Sequence, residues 1–265
     1  MSSKKNVVVT SFSFEGYKEY GQKFLESFKR FNPDLELYLI IDDPKLKFLN
    51  SECKVLENYF FNEIQNFLTI YNDRFSKTDF RFAPHRFIYK PTAIVTLNNF
   101  LSSEDADYIT WIDGDTVFKQ SGLKEALVKI KPEKHQIASV FERFQDLYYI
   151  ESGLMIFNRN HSLCSSFINE SKDIFISGRI FKFMEWHDAL VWSYLMYALP
   201  PNSFRLLCKE FNIKGSHPIS KFSLLKNKLD HLKGNNKKLG FSPEGNSILK
   251  NIQSYLVHKI QGPKK

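Results

Sequence analysis

Apolar residues recur along the first part of the chain in two alternating patterns that predict a parallel α/β sheet. The run Val7–Phe12 is typical of a buried strand, and apolar side chains at every third or fourth position from Gly16 to Phe31 predict a helix after it. Leu35–Ile41 predicts a second strand, which the turn-forming sequence Asp42–Pro44 closes. A strand, a helix and a strand joined by short turns are the beginning of a parallel sheet covered by helices.

The same patterns continue to the end of the chain, with two less regular stretches at 45–83 and 198–243. Further strands are predicted at 108–112, 116–118, 137–141 and 153–157, and helices at 62–71, 91–101, 123–130, within 163–176, at 187–197 and at 246–260. No segment has the composition of a linker between domains. The sequence therefore predicts one α/β domain over residues 1–265, with a central, mostly parallel sheet flanked by helices.

The composition is that of a folded protein and excludes several classes. Of the 265 residues, 43% are hydrophobic and 25% are charged, which excludes disordered and fibrous proteins. The three cysteines, Cys53, Cys164 and Cys208, are too far apart in sequence for a zinc or redox motif, so we expect reduced thiols. No apolar run reaches the roughly 18–20 residues that span a bilayer, and the polar segment Met1–Asn6 is unlike a signal peptide. These features predict a cytoplasmic protein without a transmembrane segment.

Positive charge is concentrated in the last quarter of the sequence. Residues 205–265 carry 13 of the 37 basic side chains but 3 of the 29 acidic ones, and the net charge of the chain is +8. Such a segment is typical of proteins that meet a polyanion, which can be nucleic acid, a membrane surface or a phosphate-bearing small molecule. The two commonest glycine-rich phosphate loops, GxGxxG and GxxxxGKS/T, are absent from the sequence.

The most informative segment is a pair of acidic residues after an apolar strand, within Trp111–Val117. Asp113 and Asp115 are separated by Gly114 and follow the predicted strand 108–112, at the edge where open α/β sheets bind ligands. We expect the glycine to let the backbone turn so that both carboxylates face one point. Two hard oxygen ligands suit Mg²⁺ or Mn²⁺ held together with substrate phosphates. The structural alternative is a surface turn, because Asp-Gly is a common turn dipeptide.

Two motifs together resemble those of GT-A-fold glycosyltransferases, which are Rossmann-like α/β enzymes. The strand with its DxD sequence, Ile109–Phe118, is similar to their metal site. The sequence His231–Lys237 fits the pattern H-x-x-G-x-x-K of glycosyltransferase family 8 and its relatives. The chain departs from family 8 at Lys238–Leu239, where Pro-Trp follows the lysine in that family. The resemblance extends from Val7 to about Lys238.

The resemblance implies a metal-dependent glycosyltransferase that moves a sugar from a nucleotide-sugar donor, UDP-linked in this interpretation, to an acceptor hydroxyl. It implies that Asp113, Asp115 and His231 bind the metal ion. The residues assigned to the donor diphosphate and its surroundings are Gly114, Gly234 and Lys237. A nitrogen ligand favours Mn²⁺ over Mg²⁺. A metal ion and a lysine would stabilise the negative charge that develops on the leaving diphosphate.

The same interpretation divides the domain and adds candidate residues. Residues 1–118 are expected to form the nucleotide-binding half, 119–243 the acceptor half with the metal-ligand loop, and 244–265 a C-terminal helix and tail. The added residues are Thr10, Ser11, Arg86 and Lys90 for the donor, Asp188 and Glu151 for catalysis, and Trp186, His187 and His217 for the acceptor. A carboxylate at the acceptor can deprotonate its hydroxyl or orient the two substrates.

Each candidate also has an ordinary structural interpretation. The alternatives are strand-end hydroxyls for Thr10 and Ser11, a surface ion pair for Arg86 and Lys90, a solvated basic loop for His231 and Lys237, a helix cap for Asp188 and a packed loop histidine for His217. The acceptor can be a glycan, a lipid, a protein or a nucleic acid, and the sequence decides neither its identity nor the stereochemistry of transfer.

Two other functions are compatible with parts of the sequence. A nucleic-acid-binding or nucleic-acid-modifying protein would use the basic segment 205–265, although its lysines are not interleaved with aromatic residues in a recognised motif. A nucleotidyltransferase would share the α/β fold and the acidic metal ligands. Such enzymes usually have a glycine-rich loop after the first strand, and Thr10–Phe14 does not resemble one.

Overall fold

The computed structural model describes residues 5–102, 105–143, 149–215 and 217–232. Three sequence-based expectations fall elsewhere: the donor contacts of Gly234 and of Lys237, and the closing helix over 246–260, lie outside the described residues.

Strands and helices alternate through most of the described chain. The strands are β1 (Asn6–Ser11), β2 (Glu36–Ile41), β3 (Lys54–Glu57), β4 (Tyr108–Ile112), β5 (Thr116–Phe118), β6 (Ala138–Glu142), β7 (Ile150–Asn158), β8 (Phe204–Leu206) and β9 (Leu229–His231). The α-helical segments are α1 (Phe14–Gly16), α2 (Gln22–Phe31), α3 (Phe61–Tyr71), α4 (Tyr89–Phe100), α5 (Leu123–Ile130), α6 (Cys164–Ile176), α7 (Asp188–Tyr197), α8 (Leu207–Glu210) and α9 (Pro218–Lys221). A π-helical turn, Tyr17–Gly21, joins α1 to α2.

The central sheet has seven strands in the order β3-β2-β1-β4-β7-β6-β8. β1 is parallel to β2 and β4, β2 is parallel to β3, and β6 is parallel to β8. β7 is antiparallel to both of its neighbours, β4 and β6. The predicted mostly parallel sheet is therefore confirmed. β5 and β9 form a separate antiparallel pair.

Apolar side chains cover both faces of this sheet. Val7 and Val9 belong to one buried cluster and Val8 belongs to the other, as expected for side chains that alternate along a strand. The first cluster includes apolar residues of α4, α6 and α7, and the second includes those of α2 and α5. Helices on both faces leave the strand ends as the place for a site.

Most predicted elements are confirmed, and three short strands were not predicted. The expected bounds of β4 and α5 match the structure, and the two substantial helices after Phe157, α6 and α7, begin within one residue of the expected positions. β3, β8 and β9 have only three or four residues each, and the positions of β3 are half-buried or exposed. Runs this short do not establish a period in the sequence, so the sequence does not predict them.

Candidate functional site

The acidic pair lies in a tight connection between β4 and β5. All five residues of β4 are buried, which anchors the start of the connection. The amide of Asp113 donates to the carbonyl of Gly153 in β7 over 2.9 Å, and the amide of Thr116 donates back to the carbonyl of Asp113 over 3.1 Å. These bonds hold the two carboxylates at the carboxyl edge of the sheet.

His231 reaches the acidic pair through the pairing of β5 with β9. Thr116 lies opposite His231 in this pair, and the amide of Leu232 donates to the carbonyl of Asp115 over 2.9 Å. An ion pair between Lys119 and Asp230, at 2.7 Å, joins the same two strands. Two segments that are far apart in sequence thus become neighbours at one point.

The three side chains form a cluster that can hold a metal ion. His231 Nε2 lies 2.9 Å from Asp115 Oδ1 and 3.7 Å from Asp113 Oδ2. One ligand atom from each residue can be chosen so that all three lie within 4.8 Å of one another, and all three side chains are half-buried. Two carboxylates and one imidazole suit Mn²⁺, and leave further positions for substrate oxygens. The residues therefore fit the metal ion that the sequence predicts.

Neighbouring groups fix the orientation of these ligands. Trp111 Nε1 donates to Asp113 Oδ1 over 2.7 Å. A Cβ atom on Gly153 would lie 3.2 Å from His231 Cε1 and 3.3 Å from Asp113 Oδ2, so a side chain there would press on two of the three ligands. Partners of this kind around a metal site tune its affinity.

A glycine is required at position 114 because there is no room for a side chain, and not because of the backbone conformation. Its φ is outside the left-handed region, in contrast to Gly122, Gly178 and Gly215. A Cβ atom on Gly114 would lie 2.8 Å from the ring of Phe12. We expected the glycine to be needed for the turn of the backbone, but other residues can adopt this backbone conformation. Glycine is needed because the chain at the end of the first strand approaches too closely for a side chain.

Lys90 joins the metal cluster to a buried carboxylate. Its ammonium lies 2.8 Å from Asp113 Oδ1 and 2.5 Å from Asp188 Oδ2. It also donates to the carbonyl and to the hydroxyl of Ser152 over 3.0 and 3.1 Å. Burial opposes the charge on Lys90, but Asp113 and Asp188 outweigh burial and raise its pKa. For Asp188, burial acts to raise the pKa, and the adjacent Lys90 ammonium outweighs it and lowers the pKa.

Asp188 is the first residue of α7, and His187 is its cap. His187 Nδ1 accepts from the amide of Leu190 over 3.3 Å, and His187 Nε2 lies 2.8 Å from Glu185. His187 is buried among the rings of Phe80, Phe87 and Tyr149, with centroid distances of 6.4, 6.1 and 5.2 Å. The helix N-terminus adds to the stabilisation of the ionised Asp188.

The remaining catalytic and acceptor candidates lie in different surroundings. Glu151 is buried in β7 and forms an ion pair of 2.5 Å with Arg143. Trp186 packs edge-to-face on Phe82 and donates its backbone amide to the carbonyl of Arg81 over 2.6 Å. His217 is half-buried and precedes α9.

The nucleoside candidates lie at the end of β1, beside the metal connection. Thr10 is buried, and its hydroxyl has no hydrogen-bond partner among the described residues. The Cβ position of Gly114 is 3.4 Å from Thr10 Oγ1 and 3.2 Å from the carbonyl of Ser11. At the end of β2, burial raises the pKa of Asp42 to about 7, although a hydrogen bond from Asn58 opposes the shift.

Tyr20 and Arg86 complete the charged surroundings of the cluster. Burial, followed by the charges of Asp115 and Asp113, raises the pKa of Tyr20 to about 12, while Arg86 acts in the opposite direction. Arg86 is exposed in a short turn before α4. The sequence did not point to Tyr20, to Trp111 as a donor or to Ser152. For Trp111 a signal existed, because residues two apart on an extended chain point to the same side.

Comparisons with known proteins define the fold class. The glycosyltransferase GlyE of Streptococcus pneumoniae TIGR4 aligns over 95% of this chain and 60% of its own, with 12% identical residues and a TM-score of 0.53. Mouse xyloside xylosyltransferase 1 in its apo form aligns over 78% of this chain and 86% of its own, with 13% identity and a TM-score of 0.46. No protein-family model matches the sequence, and no curated protein matches it. The alignment with GlyE confirms the GT-A-like fold, and membership of family 8 stays a prediction.

Within the described ranges, no helix combines the length and the apolar character that crossing a membrane requires.

Proposed function

We propose that this protein is a metal-dependent glycosyltransferase that transfers a sugar from a nucleotide-sugar donor, UDP-linked, to an acceptor hydroxyl. The observation that carries the proposal is the cluster of Asp113, Asp115 and His231 at the carboxyl edge of a GT-A-like sheet. Ligands of open α/β sheets bind at this edge. A glycosyltransferase fold and a metal cluster at that position are what the DxD and H-x-x-G-x-x-K motifs together predict.

The three clustered residues would hold Mn²⁺, or Mg²⁺ in its place, against the donor diphosphate. The bound cation supplies charge stabilisation for the leaving nucleotide as the bond to the sugar breaks. We propose that Thr10 and Ser11 meet the nucleoside; the support is that Thr10 Oγ1 and the carbonyl of Ser11 lie close to Gly114, beside the cluster. The proposed diphosphate contacts of Gly234 and Lys237 would extend the site beyond the described residues.

Lys90 and Asp188 would position the transferred sugar. In the transfer, the bond between the sugar and the diphosphate breaks, the acceptor oxygen bonds to the sugar, and the proton of the acceptor hydroxyl passes to the released diphosphate or to solvent. A carboxylate whose pKa is lowered is a weak general base. The ion pair of Asp188 with Lys90 therefore supports an orienting role for Asp188, with Lys90 and Arg86 as cations near the donor.

The other candidates of the acceptor half are Glu151, Trp186, His187 and His217. Their contacts support an indirect role for some of them and a direct role for others. Glu151 is engaged by Arg143, and His187 caps α7. These roles in the fold favour an indirect contribution. Trp186 is half-buried beside the segment that leads to Asp188, which supports a contact with the acceptor.

The proposal is tested by a screen of nucleotide sugars. The purified protein is incubated with UDP-glucose, UDP-galactose and other nucleotide sugars, with Mn²⁺ or with EDTA, and release of the nucleoside diphosphate is measured. We expect Mn²⁺-dependent release with at least one donor and none with EDTA. Absence of release and of nucleotide binding with every donor would contradict the proposal.

Two variants make the screen specific. His231→Ala removes one metal ligand and should abolish release. His135→Ala is the matched control, because it removes an exposed histidine in the turn before β6, and it should keep release unchanged. Neither the nucleic-acid interpretation nor the nucleotidyltransferase interpretation gains support from the fold comparison.

A further inference from the structure

Two glycines from different parts of the chain, Gly21 and Gly114, face the ring of Phe12. A Cβ atom on Gly114 would lie 2.8 Å from Phe12 Cδ1, and one on Gly21 would lie 3.0 Å from each of Phe12 Cε1, Cε2 and Cζ. A Cβ atom on Gly16 would lie 3.3 Å from Phe12 Cβ. Distances of 2.8–3.0 Å are shorter than ordinary van der Waals contacts, so Gly21 and Gly114 leave room that the phenyl ring fills, whereas the space at Gly16 is filled mainly by Tyr20.

Gly114 is the middle residue of the metal connection, and the ring of Phe12 is its support. Phe12 directly follows β1 and is buried. Because the φ of Gly114 is not in the left-handed region, its backbone does not itself require glycine. The contact with Phe12 is therefore the reason for glycine between the two acidic ligands.

The end of the ring contacts the π-helical turn Tyr17–Gly21. Phe12 stacks on Tyr17 with a centroid distance of 6.0 Å and meets Tyr20 edge-on at 6.5 Å. The turn ends at Gly21, which faces the ring, and π-helical turns occur frequently at functional sites. The ring thus contacts both the π-helical turn and the metal connection.

We propose that Phe12 is a positioning residue for the metal ligands, and that the π-helical turn sets the place of the Asp113–Asp115 connection through its ring. The expected effect on metal affinity rests on the proposed function, whereas the packing of Phe12 against Gly114 and Gly21 does not. It assigns a role in metal binding to Gly21, a helical residue that is not itself a ligand.

The test is a double-mutant cycle between Gly21→Ala and Phe12→Leu. Gly21→Ala adds a methyl group about 3.0 Å from the end of the ring, so the ring must move against its other contacts, of which Gly114 is one. Mn²⁺ affinity should therefore fall about 10-fold, in the range found for groups that orient metal ligands. Phe12→Leu lacks the Cε and Cζ atoms that Gly21 faces but keeps a Cδ atom towards Gly114. In the double variant, the added methyl group occupies the space that the ring left, and we expect Mn²⁺ affinity above that of either single variant.

Lys23→Ala is the matched control on the same helix, because Lys23 is exposed, and it should leave Mn²⁺ affinity unchanged. Affinity is measured by titration calorimetry, and the position of Gly114 by a crystal structure of the Gly21→Ala protein. Equal affinity and an unmoved Gly114 in Gly21→Ala would overturn the proposal. If Gly21→Ala does not fold, the proposal is decided by comparing the Mn²⁺ affinity of Phe12→Leu with that of the double variant. Equal affinities of these two proteins would overturn the proposal. If the wild-type protein binds no Mn²⁺, the proposed function fails, and the displacement of Gly114 still decides the role of Phe12.

Discussion

Two groups of charged side chains meet at Asp113 and differ in how their charge is balanced. The metal cluster, Asp113, Asp115 and His231, keeps 23%, 15% and 14% of its side-chain surface exposed. The lysine cluster, in which Lys90 holds Asp188 and Ser152, is more closed, with 9% for Lys90 and 4% for Asp188. The lysine cluster contains its own cation, whereas the metal cluster meets Lys90 only at Asp113 Oδ1, and its other atoms, on Asp113, Asp115 and His231, are more open to a cation from solution. The closed group is suited to positioning, and the open group is suited to binding.

The largest expected effect comes from removing the internal cation. Lys90→Met leaves the buried Asp188 without its cation, and we expect the free energy of unfolding to fall by about 3–5 kcal/mol. Urea denaturation measures this change. The control is Lys29→Met, which breaks an ion pair of 2.9 Å with Glu52 whose side chains are 65% and 43% exposed. That pair should contribute no more than about 1 kcal/mol. Equal losses in the two variants would remove the distinction between the clusters.

The metal cluster should respond to substitution in the opposite way, with a large loss of binding and a small loss of stability. Asp115→Asn removes a ligand, and Mn²⁺ affinity should fall by more than the roughly 10–100-fold that outer partners contribute. Without metal, the free energy of unfolding should change by about 1 kcal/mol or less, since one hydrogen bond to His231 is altered. Calorimetric Mn²⁺ titration and urea denaturation give the two numbers. Unchanged affinity, or unfolding of the variant, contradicts this assignment.

Asp42 shows what a buried carboxylate does without a cation. Burial raises its pKa from 3.8 to about 7, so the folded protein retains a proton that the unfolded chain loses near pH 4. Its contribution to stability is therefore present at low pH and is lost as the pH rises from about 4 to about 7. The difference between the two pKa values corresponds to about 4 kcal/mol.

Asp42→Asn should remove this pH dependence. Because the side chain keeps partial contact with solvent, we expect the variant to be more stable than the wild type by about 2 kcal/mol at pH 8. At pH 4.5 the two proteins should unfold at nearly the same urea concentration. A difference that is the same at both pH values would show that Asp42 does not titrate in this range.

The smallest effect concerns the group that orients Asp113. Trp111→Phe removes the indole donor to Asp113 Oδ1 and should weaken Mn²⁺ binding by about 10-fold. The control is Trp186→Phe, whose indole donates to the carbonyl of Phe183 over 3.3 Å, and which should leave Mn²⁺ affinity unchanged. If both substitutions weaken binding equally, the hydrogen bond from Trp111 has no special role.

The open cluster could be predicted from the sequence because its members lie in motifs with fixed spacing. Asp113 and Asp115 follow an apolar strand, and His231 begins a second pattern that carries a family resemblance. The fold followed from strong periodicity in β1, β2, β4 and the helices. The strand that delivers His231, β9, has three residues and forms only because β5 offers it an edge, so it has no sequence period of its own.

The closed cluster could not be predicted as a cluster. Lys90, Ser152 and Asp188 come from α4, β7 and α7, and no local pattern indicates that three such elements converge. The role of Gly114 was also assigned to the wrong cause, because a close contact with Phe12 depends on packing between separate segments. Pairings of this kind depend on tertiary structure, which one sequence does not encode locally.

The most direct test of the account is calorimetric titration of UDP into the wild-type protein and the His231→Ala variant, each with Mn²⁺ and with EDTA. The central claim is that two distant segments form one metal-nucleotide site. It predicts that UDP binds the wild-type protein with Mn²⁺, and that both EDTA and His231→Ala abolish this binding. Binding of UDP with equal affinity in all four titrations, or in none of them, would contradict the claim.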